Sequence, residues 1–301
     1  MPAVFSVTEL EAYLACPYKW FVSRRLKTDE IDKSLDARDK GTFCHEVLKQ
    51  FYNSLIAQGH QRVTEDNLPQ ALELLPETFR QTLEAALAGA GAWEGHPLVL
   101  ANPSEQAAIN SLLPGLLALI ERDASFLPGY HPAHMEYRIS KEEPIEYAGV
   151  QVNGIVDRID VNADGRAVVL DYKMPKSLSD YGMKKGATLP MYLQGAIYAR
   201  LIQRQLELVP TAALYRSYTA VSTRGVYSSA LIDPEDKALL SAQGLGKYDA
   251  SSDFSALLDA VEEKVATAME RLQAGDIAPA PAYQKACSYC PVATFCPERR
   301  G

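Results

Sequence analysis

The 301-residue chain has no apolar run approaching the ~18 residues that a membrane helix needs, which argues against a helical span. Residues 1–7 lack a basic segment and a long apolar one, so no secretory signal is visible and a cytoplasmic protein is expected. Internal repeats and low-complexity tracts are missing. So is any G-x-x-x-x-G-K-[ST] phosphate loop, which leaves no recognisable nucleotide-driven motor. Positive charge is in deficit: 30 Lys and Arg face 38 Asp and Glu, a net charge of −8 that counts against bulk attraction to a polyanion. Net charge does not describe the local field, however. Lys19, Arg24, Arg25 and Lys27 cluster with no acid among them, and Lys173, Lys176, Lys184 and Lys185 form a second group. Either group alone reads as a solvated face. Cysteine is scarce, at five residues, and without a secretory signal disulfides are not expected.

What is present suits a globular protein: 47% of residues are hydrophobic, and the length admits one large domain or two. Capping-box patterns at Ser6–Glu9 and Thr8–Glu11 predict a helix starting near Thr8, broken or kinked by Pro17. Residues 31–40 read as a polar loop. A helix follows from about Thr42 to Ala57, with Cys44, Leu48, Phe51 and Leu55 as its stripe and His45 beside it. Residues 60–130 are rich in Ala, Leu, Glu and Gln and punctuated by prolines; helices at 67–87 and 104–125 would form an insertion or cap without a chemical motif. From His134 the pattern turns to strands. A helix over 188–208 follows, with Pro190 in its first turn, then strands at 211–218 and 225–232 and a helix over 253–274 closed by Gly275. This order predicts an α/β fold with a mixed central β-sheet flanked by helices.

The stretch from Gly154 to Lys173 organises the chain. Two apolar runs flank Asn162-Ala163-Asp164-Gly165, a strong hairpin signal. Alternation puts Asp171 and Lys173 on one face, and the hairpin brings Asp157 near Asp171. Two carboxylates and an ammonium converging at a strand end suit a hard divalent cation and a phosphate. Surface ion pairs among Asp157, Arg158, Asp160, Asp171 and Lys173 are the plainer alternative.

The C-terminal cysteines read Cys287-x2-Cys290-x5-Cys296. Three thiols so close suit a tetrahedral or cubane metal site that needs one more thiolate, and Cys16, also followed by Pro, is the natural fourth. Ligand type alone leaves zinc and iron–sulfur open. Cys44 reads as a small core residue.

At Gly154, Asp157, Asp171, Tyr172 and Lys173 the sequence resembles the PD-(D/E)XK nuclease superfamily, and within it the RecB/AddB-like branch, whose pattern is G-x-x-D, a hairpin, then D-Y-K. The Cys16 and Cys287–Cys290–Cys296 arrangement resembles the [4Fe–4S] staple of AddB-type nucleases. The resemblance implies one nuclease domain over residues 1–301, with the helical insertion at about 60–130 and the two ends joined by the cluster. It implies a DNA phosphodiesterase using Mg²⁺ or Mn²⁺. His45, in a G-x-x-x-H pattern from Gly41, Asp157, Asp171 and the Tyr172 carbonyl would be metal ligands, and Lys173 would position or help activate water. Glu136 is a further ligand or a partner of Arg138. The branch also carries Gln-x-x-x-Tyr on the helix after the hairpin. The favoured register is Thr188 to Tyr192, which makes Tyr192 the site tyrosine; Gln194 to Tyr198 also fits. DNA is the implied partner, with a helicase subunit or domain beside it and no membrane. A CRISPR-associated RecB-like exonuclease, a non-catalytic Fe–S DNA-binding scaffold and a zinc-stapled interaction domain are the other readings.

Overall fold

The computed structural model describes residues 3–26, 35–175, 177–220, 222–288 and 290–299. A short strand, β1 (Val4–Ser6), leads into α1 (Val7–Ala15). Ser6 accepts from the Glu9 amide while Glu9 reaches back to the Ser6 amide, so the helix starts one residue before the expected point. The backbone is extended at Cys16, and Pro17 opens the single turn α2 (Pro17–Trp20). Proline at a first helical position costs no hydrogen bond, which is why it divides rather than destroys this segment.

The next helix, α3 (Ala37–Ala57), begins earlier than the sequence pattern predicts. Asp36 and Asp39 form a reciprocal cap, so residues 37–40 are helical rather than loop. Their polarity reflects an exposed first turn. Next come α4 (Leu68–Ala88), α5 (Pro103–Asn110) and α6 (Leu113–Asp123). The single helix expected over 104–125 is two, because Pro114 can only restart a helix. Phe43, Cys44, Leu48, Phe51 and Leu55 of α3 are buried against Leu75, Phe79, Leu116 and Ile120 in a core of their own. Cys44 is fully buried there, and burial pushes its thiol up to about 12.

The strands β2 (His131–Ile139), β3 (Ile145–Tyr147), β4 (Val150–Val161) and β5 (Arg166–Lys173) are followed by α7 (Gln194–Leu206), β6 (Val209–Ser217) and β7 (Thr223–Ser228). Then come α8 (Pro234–Ala242), β8 (Ala250–Ser251) and α9 (Phe254–Gln273). Among the described residues the eight strands form one mixed sheet, ordered β1-β4-β5-β6-β7-β8, with β2 and β3 also paired to β4. The β4–β5 hairpin turns where expected: Asn162 Oδ1 accepts from the amides of Asp164 and Arg166, and Gly165 adopts φ 71°. Ala167 and Val169 of β5 face the core covered by α1, α7 and α9, whereas Val168, Leu170 and Tyr172 face the opposite side. The chain therefore has the mixed α/β architecture its sequence predicts.

Candidate metal centre and active site

The registers of β4 leave a gap. Its residues 151–153 pair with β1 on one edge, and residues 158–161 pair with β5. Between them residues 154–157 have no strand partner on that edge among the described residues. Asp157 closes the far end of the gap, where its Oδ2 accepts from the Tyr172 amide at 2.8 Å in place of a ladder bond. Extending the Arg158–Leu170 pairing by one residue sets Asp157 opposite Asp171, on the same sheet face. On the other edge, the β2 register sets Glu136 opposite Asp157. Glu136 has φ 51°, a left-handed backbone inside a strand that glutamate rarely adopts.

His45 of α3 reaches this row from across the sheet edge. Its Nε2 meets the Tyr172 carbonyl at 3.1 Å, while Nδ1 stands 3.5 Å from Asp157 Oδ1 and 3.7 Å from Glu136 Oε1. With the proton on Nε2, donated to that carbonyl, Nδ1 is left as an acceptor for a cation. His45, Glu136 and Asp157 offer ligand atoms within 4.8 Å of one another. Asp171 lies beside this trio, and Lys173 Nζ is 2.6 Å from its Oδ2. This close ion pair partners the buried Oδ2 and favours the Asp171 anion. Oxygen-rich donors with one imidazole suit Mg²⁺ or Mn²⁺.

The electrostatics agree. Burial, with Asp157 nearby, raises Asp171 to about 7, and the same causes raise Glu136 to about 7. Burial opposes the His45 imidazolium, but Asp157, Asp171 and Glu136 outweigh it and raise its pKa. Burial likewise opposes the Lys173 ammonium, and Asp171 and Asp157 outweigh it, so Lys173 sits above the usual lysine value.

The cavity over this row encloses about 600 Å³. Gln194 and Tyr198 line it, and Tyr192 does not. Lys173 Nζ donates to Gln194 Oε1 at 3.4 Å. Tyr198 packs on Gly154, where an added Cβ would lie 2.8 Å from its ring. Tyr192 instead stacks on Tyr181 with ring centroids 4.4 Å apart. The register that favoured Thr188 and Tyr192 is therefore corrected: α7 begins at Gln194, and residues 188–193, read as its first turns, are irregular.

Beneath the site, Arg158 and Asp160 are buried rather than solvated. Arg158 grips both Asp160 oxygens at 2.6 and 2.7 Å, Asp123 at 2.7 Å and the Tyr172 hydroxyl at 3.1 Å. Asp123 also binds Arg216 and Tyr52. The Arg158–Asp160 pair is local in sequence, but no sequence pattern announces Asp123, Tyr52 and Arg216 as its neighbours, which come from distant parts of the chain.

Cys16 follows the last residue of α1. Cys16 is buried and Cys287, Cys290 and Cys296 are half-buried, with no disulfide among the described residues. Two hydrogen bonds flank them, Ala282 N to Ala15 O at 3.0 Å and Tyr18 Oη to Phe295 O at 2.8 Å. Lys176, of the second basic group, and Lys27, of the first, fall outside the described residues.

The chain belongs to the PD-(D/E)XK nuclease superfamily, whose sequence model matches residues 4–297. Over 97% of its length it is 24% identical to one subunit of an ATP-dependent helicase/deoxyribonuclease of Natranaerobius thermophilus. The match covers 29% of that protein, so the chain spans less than a third of its relative's length. Among the described residues no helix is long and apolar enough to cross a membrane.

Proposed function

We propose that the chain is a divalent-metal-dependent deoxyribonuclease domain that degrades DNA from ends or single strands. The observation that carries this is the row of Glu136, Asp157, Asp171 and Lys173 at the β4–β5 gap, completed by His45. His45, Glu136, Asp157 and Asp171 would hold Mg²⁺ or Mn²⁺; the Tyr172 carbonyl, expected as a ligand, accepts from Nε2 and so would orient the imidazole whose Nδ1 faces the ion. The cation supplies Lewis acidity toward the phosphate and makes nearby water a stronger acid. Lys173 is an ammonium at neutral pH, so it donates: it orients water and offsets charge on the phosphate rather than removing a proton. Gln194 holds that ammonium, and Tyr198, packed on Gly154, takes the place that the favoured register gives to Tyr192.

Cys16, Cys287, Cys290 and Cys296 would hold a [4Fe–4S] cluster joining the ends of one domain, with residues 60–130 as its helical insertion. The flanking hydrogen bonds support this pairing of segments. Zinc accepts the same four thiolates, so the visible spectrum is what separates the two metals. The name of the relative supports DNA as substrate and a helicase as working partner.

The test is hydrolysis of end-labelled linear and internally labelled circular single-stranded DNA by anaerobically purified protein, with Mg²⁺ or with EDTA, alongside its visible spectrum. Cutting of the linear strand with Mg²⁺ alone, by a brown protein, is expected. A colourless protein that cuts neither substrate would contradict the proposal.

A further inference from the structure

Lys173 is held from outside its own strand by Gln194, the first residue of α7. That helix end has no cap of its own. Leu193 occupies the N-cap position, and its side chain accepts nothing. The amides of Leu193 and Gln194 donate instead to Glu11 Oε1, at 2.9 and 3.1 Å, from a residue 182 positions before Leu193 on α1. Burial raises the pKa of Glu11, while those two backbone bonds and the charge on Lys173 favour its anion. The C-terminal segment grips the same place: Tyr283 meets Tyr192 edge-on, with centroids 6.2 Å apart, and Tyr192 stacks on Tyr181.

We propose that Glu11 is a positioning residue for the catalytic lysine: by capping α7 from α1 it fixes the first turn on which Gln194 meets Lys173. The body of α7 does not depend on this cap, because Ile197, Ala199, Leu201 and Ile202 are fully buried against the sheet. Loss of the cap therefore releases one turn, and with it the partner that, beside Asp171 on its own strand, aims the ammonium. Glu11 also lies on the helix that ends at Cys16, so the cysteine staple and the reaction centre share one lever. The part assigned to Lys173 rests on the nuclease reading above; the cap itself does not.

The test compares Glu11→Ala and Glu11→Gln in the full chain, since glutamine keeps the acceptor and removes the charge. Glu11→Ala is expected to lower kcat about tenfold to a hundredfold with KM unchanged, as for a misplaced catalytic group, and Glu11→Gln to restore most of the loss. A second readout needs no cleavage: the rate at which acetic anhydride modifies Lys173, followed by mass spectrometry, should rise in Glu11→Ala and not in Glu11→Gln. Wild-type kcat and wild-type labelling in Glu11→Ala would overturn the proposal, as would a Glu11→Gln protein as impaired as the alanine variant. If the wild-type protein does not cut DNA, the nuclease reading falls and the labelling rate alone decides for or against the cap. Should Glu11→Ala not fold, Glu11→Asp, shorter by one methylene, is expected to show the same two changes, and wild-type behaviour in it would overturn the proposal.

Discussion

Glu136 and Asp171 are the residues at which charge is least comfortable. Both sit near 7 because burial and Asp157 disfavour their anions. Folded values above the unfolded ones mean that the protonated forms stabilise the fold. That contribution is complete below the unfolded carboxylate range, about 4, and is lost as pH rises through about 7. The melting temperature in EDTA should therefore fall between pH 5 and 8, and Asp171→Asn should flatten the fall. Mg²⁺ should reverse it, with uptake of the ion releasing protons near neutral pH, which calorimetry in buffers of different ionisation enthalpy would detect. A melting temperature that does not change with pH in EDTA would refute this electrostatic picture of the site. Gly154 is a second sensitive position. A methyl group there meets the Tyr198 ring at 2.8 Å, so Gly154→Ala should cost about 1–3 kcal/mol in denaturant unfolding and slow cleavage as well.

At the scale of elements, the buried set of Asp123, Arg158, Asp160 and Arg216 joins α6 to β4 and β6, and through Tyr172 to β5. Two acids balance two guanidiniums, so removal of one acid strands positive charge in the interior. Asp123→Ala should destabilise the protein by about 3–5 kcal/mol, measured by chemical denaturation. A loss below 1 kcal/mol would mean that α6 is not held by this set. Elements differ in how far their sequence announces them. The β4–β5 hairpin is legible because its turn chemistry is local: Asn162 and Gly165 shape the turn from within it. Pro17 marks a real break for the same reason, whereas the break before Pro114 falls inside a stretch whose apolar pattern reads as one helix. The start of α3 is hidden because its cap is an acid pair on an exposed turn, and the start of α7 because its cap comes from Glu11 on another helix. The left-handed backbone at Glu136 and the contacts of Arg158 with Asp123 and Tyr172 arise from tertiary packing, which no periodicity encodes.

For the whole molecule, the family match over residues 4–297 spans the N-terminal strand, the hairpin and the cysteine segment. Tyr13 adds a third tie between the ends, donating to the Asp276 carbonyl at 2.8 Å. If Cys16 and the C-terminal cysteines share a cluster, Cys296→Ala should bleach the visible absorbance and lower the melting temperature, since a link between distant parts of the chain restricts the unfolded state. Unchanged colour in that variant would remove Cys296 from the proposed ligand set. The hairpin motif and the cysteine spacing are both legible in the sequence, because each is contiguous; their relation through α1 and α7 is not.

Cleavage should depend first on the row of carboxylates at the β4–β5 gap. The most direct measurement is the rate at which wild-type, Asp157→Asn and Asp171→Asn proteins cut end-labelled single-stranded DNA in Mg²⁺, each checked for folding by circular dichroism. Loss of about a hundredfold or more in both variants, with the fold intact, is predicted. Wild-type cleavage by either folded variant would contradict the assignment of this site.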